Sequence, residues 1–320
     1  MLTRMLRRLN MSIEYSAPLT RAWERMKSML FKPFNIDVWL KLGFTAFLAG
    51  LLDNGSSGGG GGAKDGFEDF QFSNMINWPH KVWIWFQDHP GWLLFALVMA
   101  GVAIALFLVF LWLSSRGKFM LLDNVVNKRA NVSAPWKEYK HEANSLFLWR
   151  LGFSAIVLLV VLIFLRHTWQ RAVIVTKDGY LDNMPILFIL QMALFFFLIV
   201  LVFMYIKMLL DSFVIPVMYK HRIRASEAWN RFLKIHWDHF GYFIVYGLFI
   251  LVLSLGIGLL IGVAGLATCC LLFIILAIPY IGSVVLLPVT VTFRAFSIEF
   301  LAQFGKDFDL ISTAPKKAQK

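Results

Sequence analysis

Residues 185–214 read PILFILQMALFFFLIVLVFMYIKMLLDSFV, and no charged side chain occurs between Pro185 and Ile206. About 20 consecutive apolar residues suffice for a helix to cross a ~30 Å hydrocarbon core. Working outward, the same pattern recurs at Gly91 to Ser114, Ser145 to Leu165, Tyr242 to Ala264 and Thr268 to Phe293. A weaker run, Ile36 to Leu52, contains Lys41 close enough to one end for its stem to reach an interface. The chain has 320 residues, of which 59% are hydrophobic and 16% charged, a balance that excludes a soluble two-domain protein. The runs predict an all-α polytopic membrane protein with six transmembrane helices, at 36–52, 91–114, 145–165, 185–210, 242–264 and 268–293. They divide the chain into a cytoplasmic basic segment (1–35), a membrane domain (36–303) and a cytoplasmic tail (304–320).

The end of the opening stretch carries a second signal. KMLLDSFV at Lys207 to Val214 repeats FMLLDNVV at Phe119 to Val126, so that Asp123 and Asp211 lie 88 residues apart, and a further 88 residues lead to Glu299 in AFSIEFLAQF. A basic residue precedes each acid by four or five positions: Lys118, Lys207 and Arg294. The cytoplasmic connectors share a layout too. A small-residue turn leads to a tryptophan (Trp23, Trp136 and Trp229), then to a basic amphipathic stretch, then to Gly and an aromatic residue. We read three copies of one helix-elbow-helix unit. In each elbow the aromatic face sinks into the head-group boundary while Lys and Arg meet anionic lipid, which makes membrane lipids the expected partner.

Charge sets the orientation. The 31 Lys and Arg residues cluster before the first run, after the second and fourth, and beyond the sixth. The alternate loops are poorer in positive charge, so both termini are expected in the cytoplasm. The net charge of +12 is therefore a topology signal, and nothing in the sequence points to nucleic acid. The opening MLTRMLRRLN lacks the apolar core and cleavage site of a signal peptide and reads as a basic arm on the membrane surface. On the opposite side, Trp78, Trp83 and Trp85 form an expected aromatic belt before the second run.

Several motifs fall short of chemistry. The stretch DNGSSGGGGGAKDG (53–66) has Ala63 between its last glycine and Lys64, and Asp65 where a phosphate-binding loop needs a hydroxyl, so it reads as a flexible tether. The acids and histidines of the outer loop match no metal signature, and no metal or cofactor is expected. Cys269 and Cys270 are adjacent and read as small apolar packing residues. Gly258 and Gly262, with Gly256 and Gly265 nearby, predict close helix packing within the chain or between copies. Pro279 and Pro288 predict a kinked sixth run. The remaining constellation is the acidic trio Asp123, Asp211 and Glu299, read either as a cation or proton site at a common cytoplasmic vestibule or as three along-helix ion pairs.

The segment MLFKPFNIDVWLKLGFTAFLAGL, followed by poly-glycine and closed by LLPVTVTFRAFSIEFLAQFG, resembles a family of uncharacterised bacterial multi-pass membrane proteins. It is similar, more remotely, to the membrane domain attached to some glycerophosphodiester phosphodiesterases. The resemblance implies a multi-pass fold in a bacterial inner membrane and transfers no catalytic or binding residue. The functions to weigh are a non-catalytic scaffold or accessory subunit for transport or envelope maintenance, a small permease using the acidic trio, and a membrane-embedded lipid-active enzyme. A homo-oligomer or a membrane-protein partner is compatible with the first.

Overall fold

The computed structural model describes residues 13–53, 81–177 and 186–311, with side chains described outside 172–189. The N-terminal arm, the poly-glycine stretch and Trp78 lie outside the described residues. Among the described residues all regular structure is helical.

Helix α1 (Ser16–Leu30) is amphipathic: Ala22, Met26, Met29 and Leu30 recur at helical spacing and are buried, while Arg21 and Lys27 face outward. In α2 (Ile36–Gly50) the side chain of Asn35 accepts the backbone N–H of Asp37 at 2.8 Å and caps the first turn. With 15 residues, α2 is about 22 Å long, short of a ~30 Å hydrocarbon core. The first apolar run is thus a helix, but not one of spanning length.

Three long helices come next: α3 (Pro90–Asn127), then, after the short α4 (Ser133–Glu138), α5 (Lys140–Lys177), and α6 (Ile186–Leu209). A π-helical turn at Leu210–Val214 joins α6 to α7 (Ile215–His221). Beyond it lie the amphipathic α8 (Ala225–Asp238) and the long α9 (Phe240–Ala267). Three pieces complete the chain: α10 (Leu271–Ala277), α11 (Pro279–Val285) and α12 (Leu287–Ala302). The three elbows differ. α1 and α8 are 15 and 14 residues long, whereas α4 has only six, because α5 already begins at Lys140.

Among the described residues four helices are long and apolar enough to cross a membrane, or five if the bent pair α11–α12 counts as one span. That pair bends by 63° at Leu286. Pro288 lies in the first turn of α12 and cannot donate its nitrogen to Val284, so the helix restarts there in a new direction. In the most apolar stretches of the four long helices, between 0% and 11% of residues are buried, which leaves surfaces only a hydrocarbon solvent suits.

The chain divides into two compact units. The first comprises Met1–Asp53, Leu113–Phe147 and Lys207–Lys320. Its centre is aromatic: Phe213 packs against Phe232, Phe243 and Tyr246 with ring centroids 5.4, 5.0 and 4.8 Å apart, and Tyr246 stacks on Phe296 at 5.3 Å. All five side chains are fully buried. Here α12 packs on α1, and α11 on α2. The second unit comprises Asn54–Trp112 and Leu148–Ile206. Its described contacts are sparse and aromatic, such as Phe153 against Phe203 at 5.6 Å and Phe164 against Phe195 at 5.7 Å.

Two expectations change. Cys269 and Cys270 do not pack; both are exposed and adopt left-handed backbone angles in the turn between α9 and α10. Gly256, Gly258 and Gly262 make no close approach, since a Cβ at any of them would meet nothing within 4 Å. Gly265 does approach closely, with Phe273 2.3 Å from where its Cβ would stand, and a tight helix crossing lies at Gly117, where a Cβ would come within 2.4 Å of the Ala49 backbone nitrogen. Beside it, the Ser114 hydroxyl donates to the Ala49 carbonyl at 2.9 Å. Gly117→Ala is expected to destabilise the protein by about 1–3 kcal/mol by forcing α3 off α2. Gly258→Ala, in contrast, should leave stability unchanged or raise it by up to about 1 kcal/mol through helix propensity. Denaturation of the two variants in the same detergent checks the contrast.

Candidate functional site

The local chemistry begins with Pro216. Its nitrogen carries no hydrogen, and the Ile215 N–H reaches back five residues to the Leu210 carbonyl, closing the π-helical turn. An α-helical partner for the Asp211 carbonyl would be the N–H of Ile215, which is taken, and a π-helical partner would be the missing N–H of Pro216. The orphaned carbonyl instead accepts a hydrogen bond from Arg294 Nη1 of α12. A widened turn thus directs both the carbonyl and the carboxylate of Asp211 to neighbouring helices.

Around it lies a charged ring. Lys118 of α3, with a side chain only 4% exposed, donates to Asp211 Oδ1 and pairs with Asp53 Oδ2 at 2.8 Å. Asp53, just beyond α2, also pairs through Oδ1 with Lys207 of α6 at 2.9 Å. Lys207 is half exposed. Two lysines therefore meet two carboxylates while Arg294 holds the Asp211 carbonyl, and α2, α3, α6 and α12 are tied together.

The three cations are those that precede the three acids in the sequence, but they do not pair along their own helices. A separation of five residues turns a side chain about 140° around the helix axis, which points Lys118 away from Asp123 and Arg294 away from Glu299. Of the trio, the described contacts bring only Asp211 to the ring. Asp123, buried, is held by Arg129 Nη2 at 2.8 Å, by the Asn127 amide at 2.8 Å and by the Tyr219 hydroxyl at 3.0 Å. Tyr219 stacks on Tyr139 with centroids 4.7 Å apart, and Arg222 lies 3.8 Å from the centroid of the Tyr139 ring. Glu299 pairs with Arg21 at 2.9 Å and with Arg25 at 4.0 Å. Arg25 also donates to the Val125 and Val126 carbonyls near the end of α3. Burial draws the Arg25 guanidinium below its usual pKa, and Glu299 opposes that shift.

The tryptophans divide by exposure. Trp23 is 47% exposed with Lys27 Nζ 5.4 Å from its ring centroid, and Trp83 and Trp85 are exposed as a belt requires. Trp136 and Trp229 are half-buried; Arg116 covers the first at 4.8 Å, and Phe232 meets the second edge-on. Trp237, not singled out in the sequence, is 72% exposed at the end of α8. Asp53 was also missed; its only signal was a lone acid closing an apolar run. Among the described residues no group of three His, Cys, Asp or Glu side chains is placed to hold a metal ion.

A family model, described as "Family of unknown function (DUF7544)", matches residues 16–293. No curated protein and no solved structure matches the chain.

Lys118 is buried between two carboxylates, so Lys118→Met, which takes the ammonium from the Asp211 carboxylate while Asp53 keeps Lys207, is expected to cost about 3–5 kcal/mol. Lys207→Gln removes a half-exposed partner and should cost under about 1 kcal/mol. Equal losses in denaturant titrations of the two variants would refute this ranking.

Proposed function

We propose for this chain, which belongs to the Family of unknown function (DUF7544), the part of a non-catalytic membrane scaffold or accessory subunit. In this reading it sits in a bacterial inner membrane, serves transport or envelope maintenance, and has both termini in the cytoplasm. The observation that carries the proposal is how the charges are used. Asp123, Asp211 and Glu299 each pair with at least one cation, and among the described residues the ring around Asp211 holds more cations than carboxylates. A cation pathway needs the opposite balance, with carboxylates free to exchange water for the permeant ion. Cross-helix ion pairs of this kind instead fix the positions of helices.

The finer architecture belongs to the same proposal: six membrane-embedded elements in three helix-elbow-helix units. α2 and the bent α11–α12 pair are its shorter and broken members. Lys118, Lys207 and Arg294, each four or five residues before one of the recurring acids, gather around Asp211 and Asp53, which favours the repeat. The exposed Trp23 and Trp237, each beside Lys or Arg on an amphipathic helix, favour elbows seated on anionic lipid. The remote resemblance to the membrane domain of some glycerophosphodiester phosphodiesterases fits a module without chemistry of its own.

In proteoliposomes the purified chain should leave monovalent-cation flux at the level of empty vesicles. A flux abolished by Asp211→Asn would instead establish the permease reading. The orientation has a built-in reporter, because exposed Cys269 and Cys270 then lie on the outer side. A membrane-impermeant maleimide should label intact spheroplasts, and the Cys269→Ser, Cys270→Ser double variant should not be labelled. Labelling confined to inverted vesicles would reverse the topology.

A further inference from the structure

The ring at the π-helical turn is not electrically closed. Lys118 is shared by Asp53 and Asp211, and Asp53 is shared again with Lys207. Arg294 has the Asp211 backbone carbonyl as its partner, and among the described residues no carboxylate lies within 4.0 Å of its guanidinium. Among the described residues Lys118, Lys207 and Arg294 stand against two aspartates, which leaves one positive charge over in a half-buried setting. Withdrawing an unpaired charge from water costs several kcal/mol, so the least costly complement is a single negative charge delivered to the free donors of Arg294.

The geometry of the donors selects the anion. A guanidinium is a planar fork that binds oxyanions through two parallel N–H bonds, and Arg294 spends one donor on the Asp211 carbonyl. Lys207, half exposed and paired with Asp53, adds a second ammonium that solvent or a head group can reach. Position narrows the choice further. Lys118 and Lys207 each stand just beyond an apolar run, after 91–114 and after Pro185 to Ile206, at the depth where phosphodiester head groups lie. A phosphodiester carries one negative charge, which matches the excess.

We propose that Arg294, Lys207 and the Lys118-bridged aspartates form a binding site for one phosphate-type oxyanion, supplied by a phospholipid head group or by inorganic phosphate. The site does not depend on the scaffold reading and would serve a transporter equally. Its aspartates position the lysines, and Arg294 and Lys207 contact the anion.

The test uses the full chain in a phosphate-free maltoside detergent. Melting temperature is followed against phosphatidylglycerol in one arm and against inorganic phosphate, with chloride at matched ionic strength, in the other. Binding to the native state is expected to raise the melting temperature saturably, by about 2–4 °C. The arm in which this happens identifies the source. Arg294→Gln and Lys207→Gln should each weaken the midpoint about tenfold or more, as loss of a charge-assisted bond requires. Lys81→Gln, an exposed lysine on none of the elbows, should leave it unchanged. If Arg294→Gln does not fold, Lys207→Gln decides alone. The site is refuted if neither phosphatidylglycerol nor phosphate stabilises the protein, or if the midpoint is unmoved by Lys207→Gln. A midpoint that moves as much with Lys81→Gln instead assigns the effect to overall charge and refutes the site equally.

Discussion

Pro216 has no amide hydrogen, and much of the first unit can be traced to that missing donor. Its absence leaves the Asp211 carbonyl without a backbone partner and is accommodated by the π-helical turn at Leu210–Val214. The carbonyl takes Arg294 from α12, and the carboxylate beside it takes Lys118 from α3. The last two residues of the same turn, Phe213 and Val214, are fully buried, with Phe213 at the centre of the aromatic cluster. One irregular turn therefore feeds both the ion-pair ring and the apolar core, which would face different directions on a regular helix.

Burial is distributed in a way that only a membrane explains. Most side chains withdrawn from solvent belong to α1, α2, α7, α8 and α12, to the π-helical turn, and to the ends of long helices near residues 119–126, 143–146 and 243–246. The long apolar stretches bury almost nothing. In water such helices would collapse, whereas hydrocarbon solvates them as well as another helix does and removes the drive to pack. Strong polar contacts then gather where the apolar runs end, because ion pairs gain most where water is scarce but not absent. The ring of Lys118, Lys207, Asp53 and Asp211 lies at such ends.

Much of this was legible in the sequence, and the failures have a common cause. Composition and run length gave the helical class, the prolines gave the break near Leu286, and the 88-residue spacing drew attention to Lys118, Lys207 and Arg294. Pairing was not legible, because it depends on which faces meet. Spacing suggested Lys118 with Asp123, but the helix turns them apart, and Lys118 finds Asp53 and Asp211 on other elements. Asp53 stood outside every motif. Of the α9 glycines that carried a pattern associated with close packing, only Gly265 makes a close approach, to Phe273, while a tight helix crossing lies at the unremarked Gly117. Run length likewise overstated α2, whose apolar stretch extends past the last helical residue.

The bend at Leu286 has a mechanical consequence. On one side of it α11 is docked on α2, where Val284 fits against Gly43; on the other α12 is docked on α1 and grips the π-helical turn through Arg294. The two arms of this elbow are clamped to consecutive helices of the same chain, so the connector between those helices, Phe31 to Asn35, and the joint at Leu286 form opposite corners of a closed linkage. A four-bar frame of this kind cannot flex at one corner alone. Any change in the angle at Leu286 must open or close the α1–α2 corner with it, so a force applied where Phe34 and Ile36 stand exposed is transmitted to Arg294 without passing through the long helices.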